Sequence, residues 1–303
     1  VPLVIPKGMF WQQPLFVGEI YTYVGAMKQK PSRIHEKMYG LFVAVAFFIL
    51  PAPAYSADFV AHKAFYGLKM GSLRPGSDFV SARGNMSLSI EKTCDGWSLS
   101  QTLLMDLGLP SGDEVKQDLR YAGWESNDGK QFRFFASNKV DDDREDFRGR
   151  ALLDVRGGPG NARFNIPEER KIPLPSGTLF PLSHTAWLIE RAKAGVHQAS
   201  GLIFDGADGD APQHVTAFIS EKHLPKDLIA KGKMRDFGDL NQSPGWSIRM
   251  AFYPLDSTNT VPDYEVEVLQ LENGVTPHLV LDYDDFSVVM NLEGLKRIAD
   301  PEC

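Results

Sequence analysis

From residue 60 onward the apolar positions fall on every second residue. In NMSLSIEKTCDGWSLSQTLL, Met86, Leu88 and Ile90 share one parity, and Ser87, Ser89 and Glu91 take the other. Period two is the mark of a strand with one buried face. Asp95-Gly96 interrupts the alternation, which then resumes, so this stretch predicts a hairpin. The device repeats at Asp128-Gly129, at Gly157 to Gly160, in the acidic and glycine-containing stretch 205–210, and at Asn273-Gly274. GWSIRMAFYPL places Trp246, Ile248, Met250 and Phe252 on one side, and 264–292 ends in a final long strand or pair. Strands joined by turns this short must run antiparallel, because parallel neighbours need a crossover of about a dozen residues.

One segment departs from period two. In LPSGTLFPLSHTAWLIERAKAG, Ala186, Ile189 and Ala192 follow at helical spacing, Ser183 offers an N-cap, Arg191 and Lys193 suit the last turn, and Gly195 stops the run. The pattern therefore predicts a mainly β protein with one main α-helix. A twisted antiparallel sheet of a dozen or so strands cannot stay flat. The expected shape is a strongly curved sheet, a spiral or near-barrel, with the helix against its concave side. No internal repeat and no Ser/Gly linker divides the region, so 57–303 is expected to be a single β-spiral domain.

Ahead of that domain, Gly40 to Leu50 is an apolar run without a charge, preceded by Lys28, Lys30, Arg33 and Lys37 and followed by Pro51, Pro53 and small residues. It falls well short of the roughly 20 apolar residues a membrane-spanning helix needs. Basic, apolar and small-residue regions in that order mark a secretory signal peptide. It is assigned to 27–56, with cleavage after Ser56 expected and Ala54 as the alternative. Residues 1–26 carry no amphipathic period and are expected to be an over-extended gene start ahead of Met27 or Met38. A buried helix and an uncleaved anchor are the rival readings of the apolar run.

Export changes how charge and cysteine are read. Residues 57–303 keep 27 of the 32 Lys and Arg but 37 of the 39 Asp and Glu, a formal charge of −10. That balance argues against a nucleic-acid partner and gives no help in docking on an anionic membrane surface, and no later stretch reaches membrane-spanning length, so the mature chain is expected to carry no integral membrane segment. Both cysteines, Cys94 and Cys303, lie in the exported part, where thiols oxidise. A structural disulfide is the expectation; two free buried thiols and a redox-active pair remain open beside it.

Catalytic and metal-binding patterns are sparse. The seven histidines, His35, His62, His184, His197, His214, His223 and His278, form no metal spacing, and no G-x-S-x-G elbow is present. DDDRED at 141–146 reads as a solvated loop. DGADGD at 205–210 lacks the spacing and closing Glu of a calcium loop and reads as a hairpin turn. Trp97, Trp124, Trp187 and Trp246 lie in apolar-periodic segments and are expected in the core. The expectation is no enzyme, no cofactor and no metal.

The ordered landmarks AHKAFYGLKM, CDGW, GWESNDGKQFRF, LPSGTLFPLSHTAWLI, FDGADGD, GWSIRMAFYP, PDYEVEVLQLENGV, LVLDYDDFSVVMNLEGL and the terminal PEC resemble the EipB family of periplasmic cell-envelope integrity proteins. The resemblance runs through roughly 58–303. It implies a many-stranded β-spiral of a general shape like the LolA and LolB lipoprotein carriers, a disulfide between Cys94 and Cys303, and a periplasmic role in the envelope barrier without catalytic activity. It carries over no ligand-binding residue. On it rests the expectation of a non-enzymatic protein that maintains envelope integrity; that it does so by holding a lipid or lipoprotein in the hollow of its curved sheet is an expectation from analogy of shape. A scaffold binding another envelope protein through a sheet edge or exposed face is the alternative, and an envelope hydrolase the third option.

Overall fold

The computed structural model describes residues 59–258, 260–283 and 285–303. The predicted leader 27–56 and the segment 1–26 lie outside the described residues.

The body is one fifteen-stranded sheet built as two meanders that start from a shared centre. The first runs β1 (His62–Leu73), β2 (Ser81–Lys92), β3 (Gly96–Gly108), β4 (Glu114–Ser126), β5 (Gln131–Val140), β6 (Asp143–Leu153), β7 (Gly160–Ile166) and β8 (Arg170–Leu174), each paired to the next. The second contains β9 (Thr178–Leu179), β10 (Gln198–Ile203), β11 (Gln213–Ile219), β12 (Gly245–Pro254), β13 (Tyr264–Leu271), β14 (His278–Asp282) and β15 (Phe286–Arg297). Pairing of β1 with β15, from His62 opposite Arg297 to Leu73 opposite Phe286, joins the two meanders. The sheet's edges are then β8 and β9, which are separated in the chain by only residues 175–177. Neighbouring strands twist by some 20–25° each, and over fifteen strands that brings the edges round into a nearly closed barrel.

The predicted turns lie where the Gly-containing dipeptides stand, and the final segment is a pair, β14 and β15. The expected parity holds as well: Met86, Leu88, Ile90, Trp246, Ile248, Met250 and Phe252 are all buried. The expectation of an all-antiparallel sheet needs correction at one pair. β9 and β10 run parallel, Leu202 opposite Thr178 and Ile203 opposite Leu179. The crossover that a parallel pair requires is supplied by α1 (Pro181–Lys193), the predicted helix. Gly195 ends it at φ 72°, and the Val196 N–H donates to the Arg191 carbonyl, the left-handed stop that glycine favours. A second, short helix, α2 (Pro225–Ala230), was not legible in the pattern; six residues are too few to show a helical period.

α1 lies inside the curve of the sheet. Pro181 to Ala186, Leu188, Ile189 and Ala192 are all buried, which is more than one face of a surface helix hides. Ahead of it, Phe180 stacks on Phe132 of β5 with ring centroids 4.9 Å apart. Phe132, Phe134, Phe164 and Phe204 continue the aromatic cluster. Phe204 follows β10, whereas the other three sit on β5 and β7, so the cluster spans the line where the two ends of the sheet meet.

Candidate functional site

The parity of β4 puts an unexpected residue inside. Gln117, Leu119, Tyr121 and Glu125 point inward and are buried, so Trp124 takes the outward parity. Glu125, only 4% exposed, faces the N-terminus of α1. The Leu182 N–H donates to Oε1 of Glu125, the Ser183 N–H donates to Oε2 at 3.0 Å, and the Ser183 hydroxyl donates to Oε2 at 2.9 Å. With Phe180 at the N-cap, Leu182 and Ser183 hold the second and third helical positions. These are the N–H groups that a capping side chain normally takes. Ser183 is therefore no N-cap; a carboxylate from across the barrel does that work. Burial pushes the Glu125 carboxyl up to about 7, against the three donors that favour its charged form. One residue on, burial pushes the His184 imidazole down to about 4. Its ring lies 5.6 Å from that of Trp187, and its Nε2 has no hydrogen-bond partner.

Among the described residues, α1 occupies the hollow of the sheet. Between α1 and β10–β13, a cavity of about 20 Å³ remains among His184, Leu188, Ile248, Met250, Phe252 and Gln270. That is room for about one water molecule, whereas small-molecule sites run to roughly 300–1,000 Å³.

The stretch 205–210 seals the seam between the sheet ends. Asp205 Oδ1 accepts from the Ala207 N–H and Asp208 Oδ1 from the Asp210 N–H, both at 3.0 Å. The Tyr121 hydroxyl of β4 donates to the Asp205 carbonyl at 3.0 Å, and Arg170 of β8 donates to the Gly209 carbonyl. Gly206 has φ 69°, and a Cβ there would lie 2.5 Å from the Phe134 ring. Glycine is required at that position by both conformation and space. The acidic stretch is thus a strap held by its own turns.

A larger hollow lies on the outward face of β4–β8, an open trough of about 1,030 Å³. Trp124 is there and not in the core: the Arg133 guanidinium sits over its ring at 4.8 Å, and its indole N–H donates to Thr93. Of the other described tryptophans, Trp246 is core, while Trp97 and Trp187 pack half-buried against the core.

Among the described residues the histidines stay apart. His62 is buried in β1 with Nδ1 at 2.7 Å from the Val60 carbonyl, and burial lowers its pKa. His197 pairs with Glu221, His214 packs on Tyr253, and His278 meets Asn291. His223 Nε2 lies 3.2 Å from the Ser220 hydroxyl, but that hydroxyl also donates to the Glu221 carbonyl and accepts from the Ser247 N–H. No carboxylate bonds the His223 ring among the described residues, so the pair lacks the third group that orients a catalytic base. Among the described residues no three His, Cys, Asp or Glu side chains converge as metal ligands, and no helix is long and apolar enough to cross a membrane.

Cys94, in the turn between β2 and β3, and Cys303 are joined as a disulfide, with Cα atoms 5.6 Å apart. The bridge fixes the chain's last residue to the turn beside the sheet's centre. Beyond Arg297, where β15 ends, the chain is otherwise held by few contacts, among them a Lys92–Asp300 ion pair at 3.8 Å.

Comparison with known proteins agrees with this architecture. A crystal structure of a β-barrel-like protein of the domain of unknown function DUF1849 from Brucella abortus superposes with a TM-score of 0.72, covering 80% of this chain and all of that one at 24% identity. The cell envelope integrity protein EipB of Brucella abortus (strain 2308) is 24% identical over 252 residues, which is 82% of this chain and 88% of the relative. Residues 53–299 match the EipB-like family. The curved sheet, the helix threaded inside it and the family match all cover the same stretch of sequence, and the chain belongs to the EipB-like family.

Proposed function

We propose that this chain is exported to the periplasm with loss of its leader, and that it supports the integrity of the cell envelope by binding an envelope component without catalysis. Membership of the EipB-like family carries this reading, since one relative is named for that role. The Cys94–Cys303 pair supports it, because disulfides persist in oxidising compartments. So does the use made of the interior's titratable groups: Glu125 is spent on capping α1, and His184 and His62 are enclosed.

The helix in the hollow of the sheet favours binding on the outer face. A lipid or lipoprotein on the concave face would have to displace α1, which the 20 Å³ beside it does not accommodate. Docking through a sheet edge is disfavoured too. β8 has five residues with Pro173 among them, and β9 has two; short edges carrying proline resist strand addition. Both observations support the outer face as the surface that takes a partner. Deleting the gene and challenging cells with detergent tests the role, with increased sensitivity expected and restored by the wild-type chain. Unchanged sensitivity would count against the envelope reading. Periplasmic crosslinking then separates an envelope-protein partner from a lipid by the mass of the adduct.

A further inference from the structure

We propose that the outward face of β4–β8 docks on anionic phospholipid headgroups, with a row of four unpaired cations taking the phosphates. Register builds the row. Trp124 of β4 stands opposite Arg133 of β5, Arg133 opposite Arg150 of β6, Arg150 opposite Arg163 of β7, and Arg163 opposite Lys171 of β8. All five carry the outward parity, and all line the trough of about 1,030 Å³. At a strand spacing of roughly 4.8 Å, four cations cross about 14 Å of surface.

Like charges directly opposite each other destabilise a sheet, and no ion pair relieves these. Arg133 has only the Trp124 ring; Arg150, Arg163 and Lys171 have no ion pair or side-chain hydrogen bond among the described residues. Glu169, which also lines the trough, pairs with none of them. Farther along the same strands the arginines are neutralised, Arg120 by Asp118 at 2.8 Å and Arg144 by Asp146 at 2.9 Å. The excess runs against a chain of net charge −7. A local cost without an internal partner points to an external anion.

The apolar groups around the row select a lipid over a nucleic acid or a soluble phosphate. Leu152, two residues past Arg150 on the same outward parity, is 59% exposed, and Val155 just beyond is 61% exposed. Half-buried Trp124 and Phe135 flank the cations, Phe135 under the Arg148 guanidinium at 5.2 Å. Cations beside amphipathic rings and exposed aliphatics fit the boundary between headgroup and acyl chain. The inference rests on the envelope reading for where such lipid is met.

The test is cosedimentation of the protein with phosphatidylcholine vesicles, with and without phosphatidylglycerol. Binding is expected only with phosphatidylglycerol, and it should weaken as salt rises. Replacing Arg150 and Arg163 by Ala should weaken it about fivefold for each cation removed, and R150E/R163E should abolish it. Melting temperature reports the fold, and for R150E/R163E it should be unchanged or higher because repulsion is relieved. Leu152→Ser should weaken vesicle binding while leaving any binding of inorganic pyrophosphate unchanged. Absence of binding to phosphatidylglycerol vesicles, or equal affinity for duplex DNA with no effect of Leu152→Ser, would overturn the proposal. R150E/R163E restoring full detergent resistance to deleted cells would remove this inference and leave the envelope reading standing. A deletion without an envelope defect would remove that reading while vesicle binding remained.

Discussion

Replacing Glu125 by Gln isolates the proton that the barrel interior holds. In the unfolded chain the carboxyl titrates near 4.5; folded, it titrates at about 7. A carboxyl raised by folding contributes stability that is fully present below pH 4.5 and lost as pH rises through about 7, because the folded state holds a proton that the unfolded state has released. Some 2.5 pK units at 1.36 kcal/mol each makes this about 3 kcal/mol. Gln is neutral at every pH: Oε1 still accepts from the Leu182 N–H and the amide donates to the Ser183 hydroxyl, while the Ser183 N–H loses its acceptor, a cost that does not change with pH. The Gln variant therefore lacks the loss. The unfolding free energy of wild type minus that of the variant should fall by about 3 kcal/mol between pH 4.5 and pH 8, measured by urea unfolding followed by tryptophan fluorescence.

The wild-type profile alone does not show this, because His184 opposes it. Its folded pKa is lowered to about 4 from 6.5, so its contribution is present above pH 6.5 and lost as pH falls, again by about 3 kcal/mol. His62, also lowered, acts in the same sense. Between pH 4.5 and 6.5 these changes offset that of Glu125, and wild-type stability should vary little there while the Gln variant gains with pH. The histidines are common to both proteins and drop out of the difference. A difference that does not move with pH, or wild type gaining on the variant as pH rises, would show that the helix N-terminus and the three donors hold Glu125 ionised, and the reasoning would fail.

Three more outcomes follow from the packing. Reducing the Cys94–Cys303 bridge, or replacing both residues with Ala, should cost up to about 5 kcal/mol, the loop entropy of a 209-residue separation; a thermal midpoint unchanged by reductant would refute it. Gly206→Ala should cost roughly 2–3 kcal/mol in chemical denaturation, because it combines a positive φ with overlap on Phe134 and the strap across the seam cannot shift without freeing the sheet ends. Gln101→Met should raise stability by about 1–2 kcal/mol, since both polar atoms of this buried side chain lack partners; a loss would show that an ordered water satisfies them.

The body of the fold was legible because a period of two, broken by Gly-containing turns, leaves few choices of pairing. Met86, Leu88 and Ile90 had to face inward together, and each short turn dictated an antiparallel neighbour. The parallel β9–β10 pair was not legible, because two residues of strand have no period. The interior site was hidden for a different reason. In β4 the parity set by Leu119 and Tyr121 puts Glu125 inside and Trp124 outside, the reverse of what hydrophobicity dictates for those two residues. Strict parity from Tyr121 onward would have exposed the conflict; reading Trp124 as core because it was apolar concealed it.

Local rule and global parity disagree at this step, and that disagreement locates both surfaces of interest. On the inward side it delivers a carboxylate to the two N–H groups that the chain leading into α1 leaves uncapped, since Phe180 has no side chain able to accept them. On the outward side it sets an indole at the end of a cationic row, where its ring carries Arg133 and adjoins the trough. The two meet at adjacent positions of one strand, so β4 links the clamp on the internal helix to the outward face. A substitution that reverses the pair, Trp124→Glu with Glu125→Trp, satisfies hydrophobic patterning yet should destabilise the protein. It orphans the α1 N–H groups, forces an indole into space left for a carboxylate, and places an acid within the basic row.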